Sequence, residues 1–248
     1  MLSASTQLWA CVCLPQNFES KYQSSDFIAT AKIISVSSVE DNSKFQKVEI
    51  EIIELYKGKH ITSLSEASIQ KTNCGIYTPA NTTWLIYASY DDSGILSFNL
   101  CSGSMQIDEI PYDPNYPSYK KNVESQIQHT RDILGYLKKK GLSELNKHRL
   151  IINMAAPCIQ DLNGNDAIYS FAIYELSVSK NLAIAKIKNL KTFNNKSLTK
   201  KLLTCIKKAA TINKSKRKEI PSETKVIVIY FYYPRDKNNP GFVSKHIY

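Results

Sequence analysis

The sequence predicts a two-domain protein of the β plus α/β class: an all-β N-terminal domain, a linker with a helix, and a small α+β domain at the C-terminal end. Three observations carry this. Short apolar runs separated by turn signals fill residues 27–101, the pattern of a small barrel or sandwich. A Pro- and Tyr-rich stretch, Pro111 to Tyr119, leads into a segment of helical periodicity. Beyond it, strand-like runs flank a single amphipathic helix. With 248 residues, 43% hydrophobic and 22% charged, the chain suits two globular units rather than disorder. No run of about 18 apolar residues is present, so no segment reads as a membrane-spanning helix.

Each element has its own signal. Phe27–Val39 is a run of apolar, Ser and Thr residues broken only by Lys32. Val48, Ile50 and Ile52 alternate with Glu49 and Glu51, the period of a half-buried strand, which ends at the turn signal Tyr56-Lys57-Gly58. Trp84-Leu85-Ile86-Tyr87-Ala88 is a short, fully apolar strand. Asp91-Asp92-Ser93-Gly94 turns the chain into Ile95–Phe98, just before Cys101. Over Tyr119–Lys140, Val123, Ile127, Leu134 and Leu137 share a helix face and Gly141 fits the C-terminal cap. This helix is expected to pack on the barrel or between domains. In the C-terminal half, Ile168–Val178 and Leu182–Ile187 flank the hairpin signal Ser179-Lys180-Asn181. Ser197 fits an N-cap for a helix with Leu198, Leu202, Cys205, Ile206 and Ala209 on one face. A lysine-rich loop, Lys214–Lys218, precedes Val226–Tyr233, an unbroken β-branched and aromatic run that reads as a central strand.

Charge and cysteine are unevenly placed. The net charge is +10, yet 13 of the 32 Lys and Arg fall between Lys180 and Lys218, where there is no Asp or Glu. That segment is a candidate site for an anionic partner, or else a solvated helix face and loop. Six cysteines, four in the first half and two in the second, suggest disulfides closed within each half. The first four allow three pairings, which the sequence does not choose between. Cys158 and Cys205 are expected to bridge a strand to the helix, with a reactive dithiol as the alternative.

Cys11-Val12-Cys13-Leu14-Pro15 follows directly on Leu8-Trp9-Ala10. A small residue before a cleavage point is how a secretory signal peptide ends. Residues 1–10, which lack a basic n-region and a full apolar core, read as the tail of such a leader. Cleavage between Ala10 and Cys11 places a free α-amine beside the Cys11 carbonyl, and two such atoms held rigidly can chelate a metal ion belonging to another protein.

Cys11-Val12-Cys13-Leu14-Pro15, the Phe27–Val39 strand, Tyr56-Lys57-Gly58, Cys74-Gly75, the Trp84–Ala88 strand and Cys101 together resemble the netrin-type domain, and especially the inhibitory domain of tissue inhibitors of metalloproteinases. The resemblance covers residues 11–107 and implies a five-stranded OB-type barrel with the N-terminal segment stapled onto it. It leaves 108–148 as linker and helix and 149–248 as an α+β domain, whose hairpin, helix and final strand faintly resemble the topology of the TonB C-terminal domain. It implies the pairs Cys11–Cys74 and Cys13–Cys101. It also implies a function: the Cys11 amine nitrogen and carbonyl oxygen bind the catalytic zinc of a target metalloprotease, displacing the water of its open position. Val12 then enters the main specificity pocket, Cys13 and Leu14 continue along the cleft, and Thr72 and Asn73 lie beside that ridge. Two departures stand out. The family's third disulfide in this domain is missing, and Gln16-Asn17-Phe18 stands where animal inhibitors have His-Pro.

Other readings remain open on the residues alone. Leu8-Trp9-Ala10-Cys11 passes as a lipobox, which would place a lipid on Cys11 and leave Cys74 single. A secreted, periplasmic or cell-surface binding module without inhibitory activity fits as well, its Lys180–Lys218 segment gripping an anionic polysaccharide, lipid or protein; nucleic acid is the weakest partner class for an exported protein. An enzyme is disfavoured. His60, His129, His148 and His246 are scattered without ligand spacing, no nucleophile, phosphate or dinucleotide motif is present, and no cofactor is implied. Asp161–Asp166 reads as a turn, since position 12 of a calcium loop would be Ala172. Asn81, Asn195 and Asn213 head glycosylation-type triplets of a kind common by chance.

Overall fold

The structure is a computed structural model and describes residues 11–14, 16–37, 44–111, 113–142, 146, 148, 150–154, 156–164, 168, 170–213, 218–235 and 240–245. The expected leader, Pro15, His246 and most of the Lys214–Lys218 loop lie outside these residues. The described residues of Met1–Gln16 with Ser20–Gly141 form one compact unit, and those of Asn17–Glu19 with Leu142–Tyr248 form a second.

A short helix, α1 (Phe18–Ser24), precedes the barrel strands β1 (Phe27–Val36), β2 (Phe45–Lys57), β3 (Ser63–Ala67), β4 (Thr83–Tyr90), β5 (Leu96–Phe98) and the two-residue β6 (Met105–Gln106). The order β1-β2-β3-β5-β4 closes because β1 also pairs with β4, and β6 is appended to the outside of β4. Pairing is antiparallel except between β3 and β5, so this is a closed mixed five-stranded barrel. Closure removes every long open edge. Three register irregularities where β1 pairs with β2 let that strand bend far enough to meet both neighbours. Ala29, Ala31, Ile33, Val48, Ile50, Trp84, Ile86 and Phe98 fill the interior. The Tyr56-Lys57-Gly58 turn follows from packing. Gly58 has φ +93°, and a Cβ there would lie 2.7 Å from the Asp26 carbonyl oxygen. Lys57 Nζ donates to the Tyr22 carbonyl at 2.8 Å.

Helix α2 (Tyr119–Lys139) belongs to this first unit and packs on β2. It buries Ile127, Ile133, Leu134 and Leu137. Its Arg131 Nε donates to Tyr56 Oη at 3.3 Å, and that hydroxyl donates to Glu54 at 2.8 Å. Gly141 takes φ +64°, closing the helix.

The second unit contains β7 (Ile152–Met154), α3 (Ala156–Gln160), β8 (Ser170–Val178), β9 (Ile184–Lys191), α4 (Lys196–Ala209), β10 (Ala210–Ile212), β11 (Thr224–Tyr233) and β12 (Phe242–Ser244). An antiparallel sheet runs β12-β11-β8-β9, with β10-β7 as a separate ribbon. Leu198, Leu202 and Ile206 of α4 pack on Tyr174, Leu176, Val228 and Tyr230. Three expectations are corrected. Asn195, not Ser197, caps α4, because its Oδ1 reaches the Leu198 N–H at 2.9 Å while Ser197 is already inside the helix. Cys158 lies in the short helix α3 rather than a strand. The hairpin turn spans 179–183, with Leu182 at φ +62°, so β9 starts at Ile184 and Ile168 is left exposed before β8.

Candidate functional site

Two excursions from the barrel meet the N-terminal segment. The first links β3 to β4. It leaves at Ser68 and returns at Ile76, and these residues form an isolated parallel bridge. The Lys71 and Thr72 N–H groups both donate to the Ser68 carbonyl, at 3.2 and 3.0 Å, and the Gly75 N–H donates to the Thr72 carbonyl at 3.2 Å. The neck is so tight that a Cβ on Gly75 would lie 2.3 Å from the Ile69 nitrogen, which is why glycine follows Cys74. Beneath the neck, the fully buried Glu66 of β3 accepts hydrogen bonds from Thr78 Oγ1 and Gln46 Nε2. Burial pushes its carboxyl above the ordinary value, against the pull of those donors.

The second excursion is a single 3-10 turn, Leu100–Ser102, capped by Asn99, whose Oδ1 accepts from the Cys101 N–H at 2.8 Å. Leu100 N–H donates to the Cys74 carbonyl at 3.1 Å, so the backbone itself brings Cys74 beside Cys101.

Cys11–Leu14 has no regular secondary structure and is held by sulfur. Cys11 is bonded to Cys74 and Cys13 to Cys101, with Cα separations of 5.2 and 5.0 Å. Cys11 Sγ also lies 3.5 Å from Cys101 Sγ. The sulfurs of Cys11, Cys74 and Cys101 fall within 4.8 Å of one another, the only such group of potential metal ligands among the described residues. All three are in disulfides, so none is a thiolate ligand. A thioether-linked lipid on Cys11 and the Cys11–Cys74 bond are mutually exclusive, and the structure has the bond. The segment turns apolar groups outward: Val12 is 80% exposed and Leu14 79%. Cys13 and Asn73 are exposed, while Cys11 and Thr72 are half-buried. Ile69 and Leu100, exposed apolar residues on the two excursions, were not singled out from sequence. Their signal was apolar residues close before a bridged cysteine.

The third disulfide, Cys158–Cys205, joins α3 to α4 in the second unit. Among the described residues, no helix is long and apolar enough to cross a membrane.

A closed mixed barrel with a cysteine-bound N-terminal segment defines a netrin-type architecture. Residues 9–128 match the family model for tissue inhibitor of metalloproteinase, the stretch that holds the bridged N-terminal segment and the barrel. The match covers just under half of the 248 residues, runs past residue 107 into α2, and leaves the C-terminal half unassigned. No curated protein matches the chain. The family is described as one of metalloproteinase inhibitors, which makes an inhibitor-like activity the reading to test for this domain.

Proposed function

We propose that the protein is exported and inhibits a zinc metalloprotease through a mature N-terminus at Cys11. In this reading the Cys11 amine nitrogen and carbonyl oxygen chelate the target's catalytic zinc. Val12 fills the main specificity pocket, Cys13 and Leu14 follow the cleft, and Thr72 and Asn73 form the second edge of the ridge. The ligand is the neutral amine, and an α-amino pKa near ~8 leaves enough of it around neutral pH. The observation that carries the reading is a contradiction of ordinary burial. Val12 and Leu14 are 80% and 79% exposed although the backbone between them is fixed by two disulfides. A rigid segment that displays apolar side chains is pre-organised to dock, because its ordering cost is met in folding. The match of residues 9–128 to an inhibitor family supports the same conclusion.

The test compares the chain starting at Cys11 with one that keeps a single extra Ala before it, against a panel of zinc proteases. The Cys11 form is expected to inhibit, and the extended form to lose at least about a hundredfold, since an amide nitrogen cannot replace the amine as ligand. Inactivity of both forms across the panel sinks the proposal. Equal inhibition by both removes chelation as its mechanism.

A further inference from the structure

We propose that α4 and the two recesses beside it form a binding site for an anionic polysaccharide, a sugar chain carrying sulfate or carboxylate groups. The site lies wholly in the second unit and does not depend on the inhibitor reading. It begins with the charge asymmetry: 13 Lys and Arg and no acid between Lys180 and Lys218. The fold collects part of that charge on one helix. α4 buries Leu198, Leu202, Cys205 and Ile206, which leaves Lys196, Lys200, Lys201, Lys207 and Lys208 on its exposed side. At the rise of an α-helix these five span about 18 Å.

A recess of about 430 Å³ is lined by Lys200, Lys201, Thr204 and Lys208, together with Asp161 and Leu162. The Cys158–Cys205 bridge also lines it and fixes α3 against α4. A second recess, of about 450 Å³, lies between α4, β9 and β10 and takes Lys207 and Lys186 into its wall. Among the described residues, Asp161 is the only acidic one lining either recess. Concave walls of one sign concentrate the field and attract counter-ions.

The arrangement selects among anions. Charges spread along a helix and divided between two recesses match a chain of repeated charges rather than a single phosphate. None of the exposed large apolar side chains lies between Lys180 and Asn213, so an anionic membrane finds no anchor here. Among the described residues no aromatic one lines either recess, so a nucleic-acid strand is offered no stacking platform by them.

The test uses the full chain with its disulfides intact and a heparin oligosaccharide as probe, with affinity measured by calorimetry across a salt series. The parent is expected to bind with strong salt dependence. Replacing Lys200, Lys201 and Lys208 together by Gln should weaken binding about tenfold or more and flatten the salt slope by about two to three. The control removes equal charge through Lys138→Gln, Lys139→Gln and Lys140→Gln at the end of α2, and should change affinity less than about twofold. Arg at 200, 201 and 208 should preserve binding, with circular dichroism checking the fold of every variant. Equal loss in both Gln triples reduces the effect to net charge and overturns the site. Absence of salt-dependent heparin binding overturns it too. So does tighter α4-dependent binding to phosphatidylserine vesicles or a DNA oligonucleotide than to heparin.

Discussion

Removing one of the two barrel disulfides should destabilise the first unit by an amount that depends on the other. Taken alone, the bridges close sequence separations of 63 and 88 residues, worth ~4.3 and ~4.6 kcal/mol in the chain-entropy account. They are not independent, because Cys11 and Cys13 are two residues apart. With Cys11–Cys74 in place, the path from Cys13 to Cys101 runs back to Cys11, across the bond, and forward from Cys74. That loop is about 30 residues and its closure is worth ~3.6 kcal/mol. The same path governs Cys11–Cys74 when Cys13–Cys101 is intact. Either single removal should therefore cost about 3.6 kcal/mol, and loss of both about 8 kcal/mol. Against a domain stability of roughly 5–15 kcal/mol, single-bridge variants stay folded while the double variant sits near the threshold.

The assay is guanidinium unfolding of Cys13→Ser/Cys101→Ser in the chain starting at Cys11. That form has one tryptophan, Trp84, which is 6% exposed in the barrel core and reports this unit alone. A loss below about 1 kcal/mol would mean that the N-terminal segment is ordered without sulfur, refuting the staple as its cause. Single losses that sum to more than the double loss would refute the shared-loop argument.

Two further outcomes follow from the excursion that carries Cys74. Gly75→Ala should cost about 3 kcal/mol, because the new Cβ meets backbone atoms of Ile69 and Ser68 that cannot swing away; Gly94→Ala, with φ +79° but open space around it, should cost only about 1 kcal/mol in thermal unfolding. If the two cost the same, steric contact at the neck is not the reason for glycine. Glu66 should make the first unit less stable as pH rises. Its folded pKa is raised by burial, so its stabilising share is complete below the unfolded value of about 4.3 and is lost as pH climbs through the folded value. Glu66→Gln removes that titration, so the variant should gain on the parent between pH 4 and pH 7 in urea midpoints. A constant difference across that range contradicts the sign.

Legibility tracked the physical signal in each segment. β2 and α2 were readable because Val48, Ile50 and Ile127, Leu134, Leu137 follow the strand and helix periods over many residues. β3 was not, because Ser63-Leu64-Ser65-Glu66-Ala67 reads as polar while Glu66 is buried through its partners Thr78 and Gln46. β7 and β10 are three residues each, too short for a period to show. For α4 the hydrophobic face was evident, but the sequence pattern points to Ser197 as its cap, and only the geometry shows that Asn195, two residues earlier, holds that place. Spacing left three pairings for the first four cysteines, and the resemblance implied one of them. The exposure of Val12 and Leu14 was beyond pattern reading, since apolar residues beside cysteines ordinarily signal core.

That exposure separates two properties which the cysteine-rich N-terminus combines. The disulfides act on folding: they remove freedom from the unfolded chain and hold Val12 and Leu14 outward. Chelation, as proposed, acts only on binding and rests on whether Cys11 bears an amine or an amide. An extra residue before Cys11 leaves both bridges intact, so it should abolish inhibition while unfolding stability stays unchanged. Opening Cys13–Cys101 should do the reverse in kind: the amine survives, but Leu14 loses its fixed path, and inhibition weakens in step with the ordering cost restored at binding. A ridge that chelates without being pre-organised, or is pre-organised without chelating, would break that pairing of results in opposite directions, so the two variants together locate which half of the argument fails.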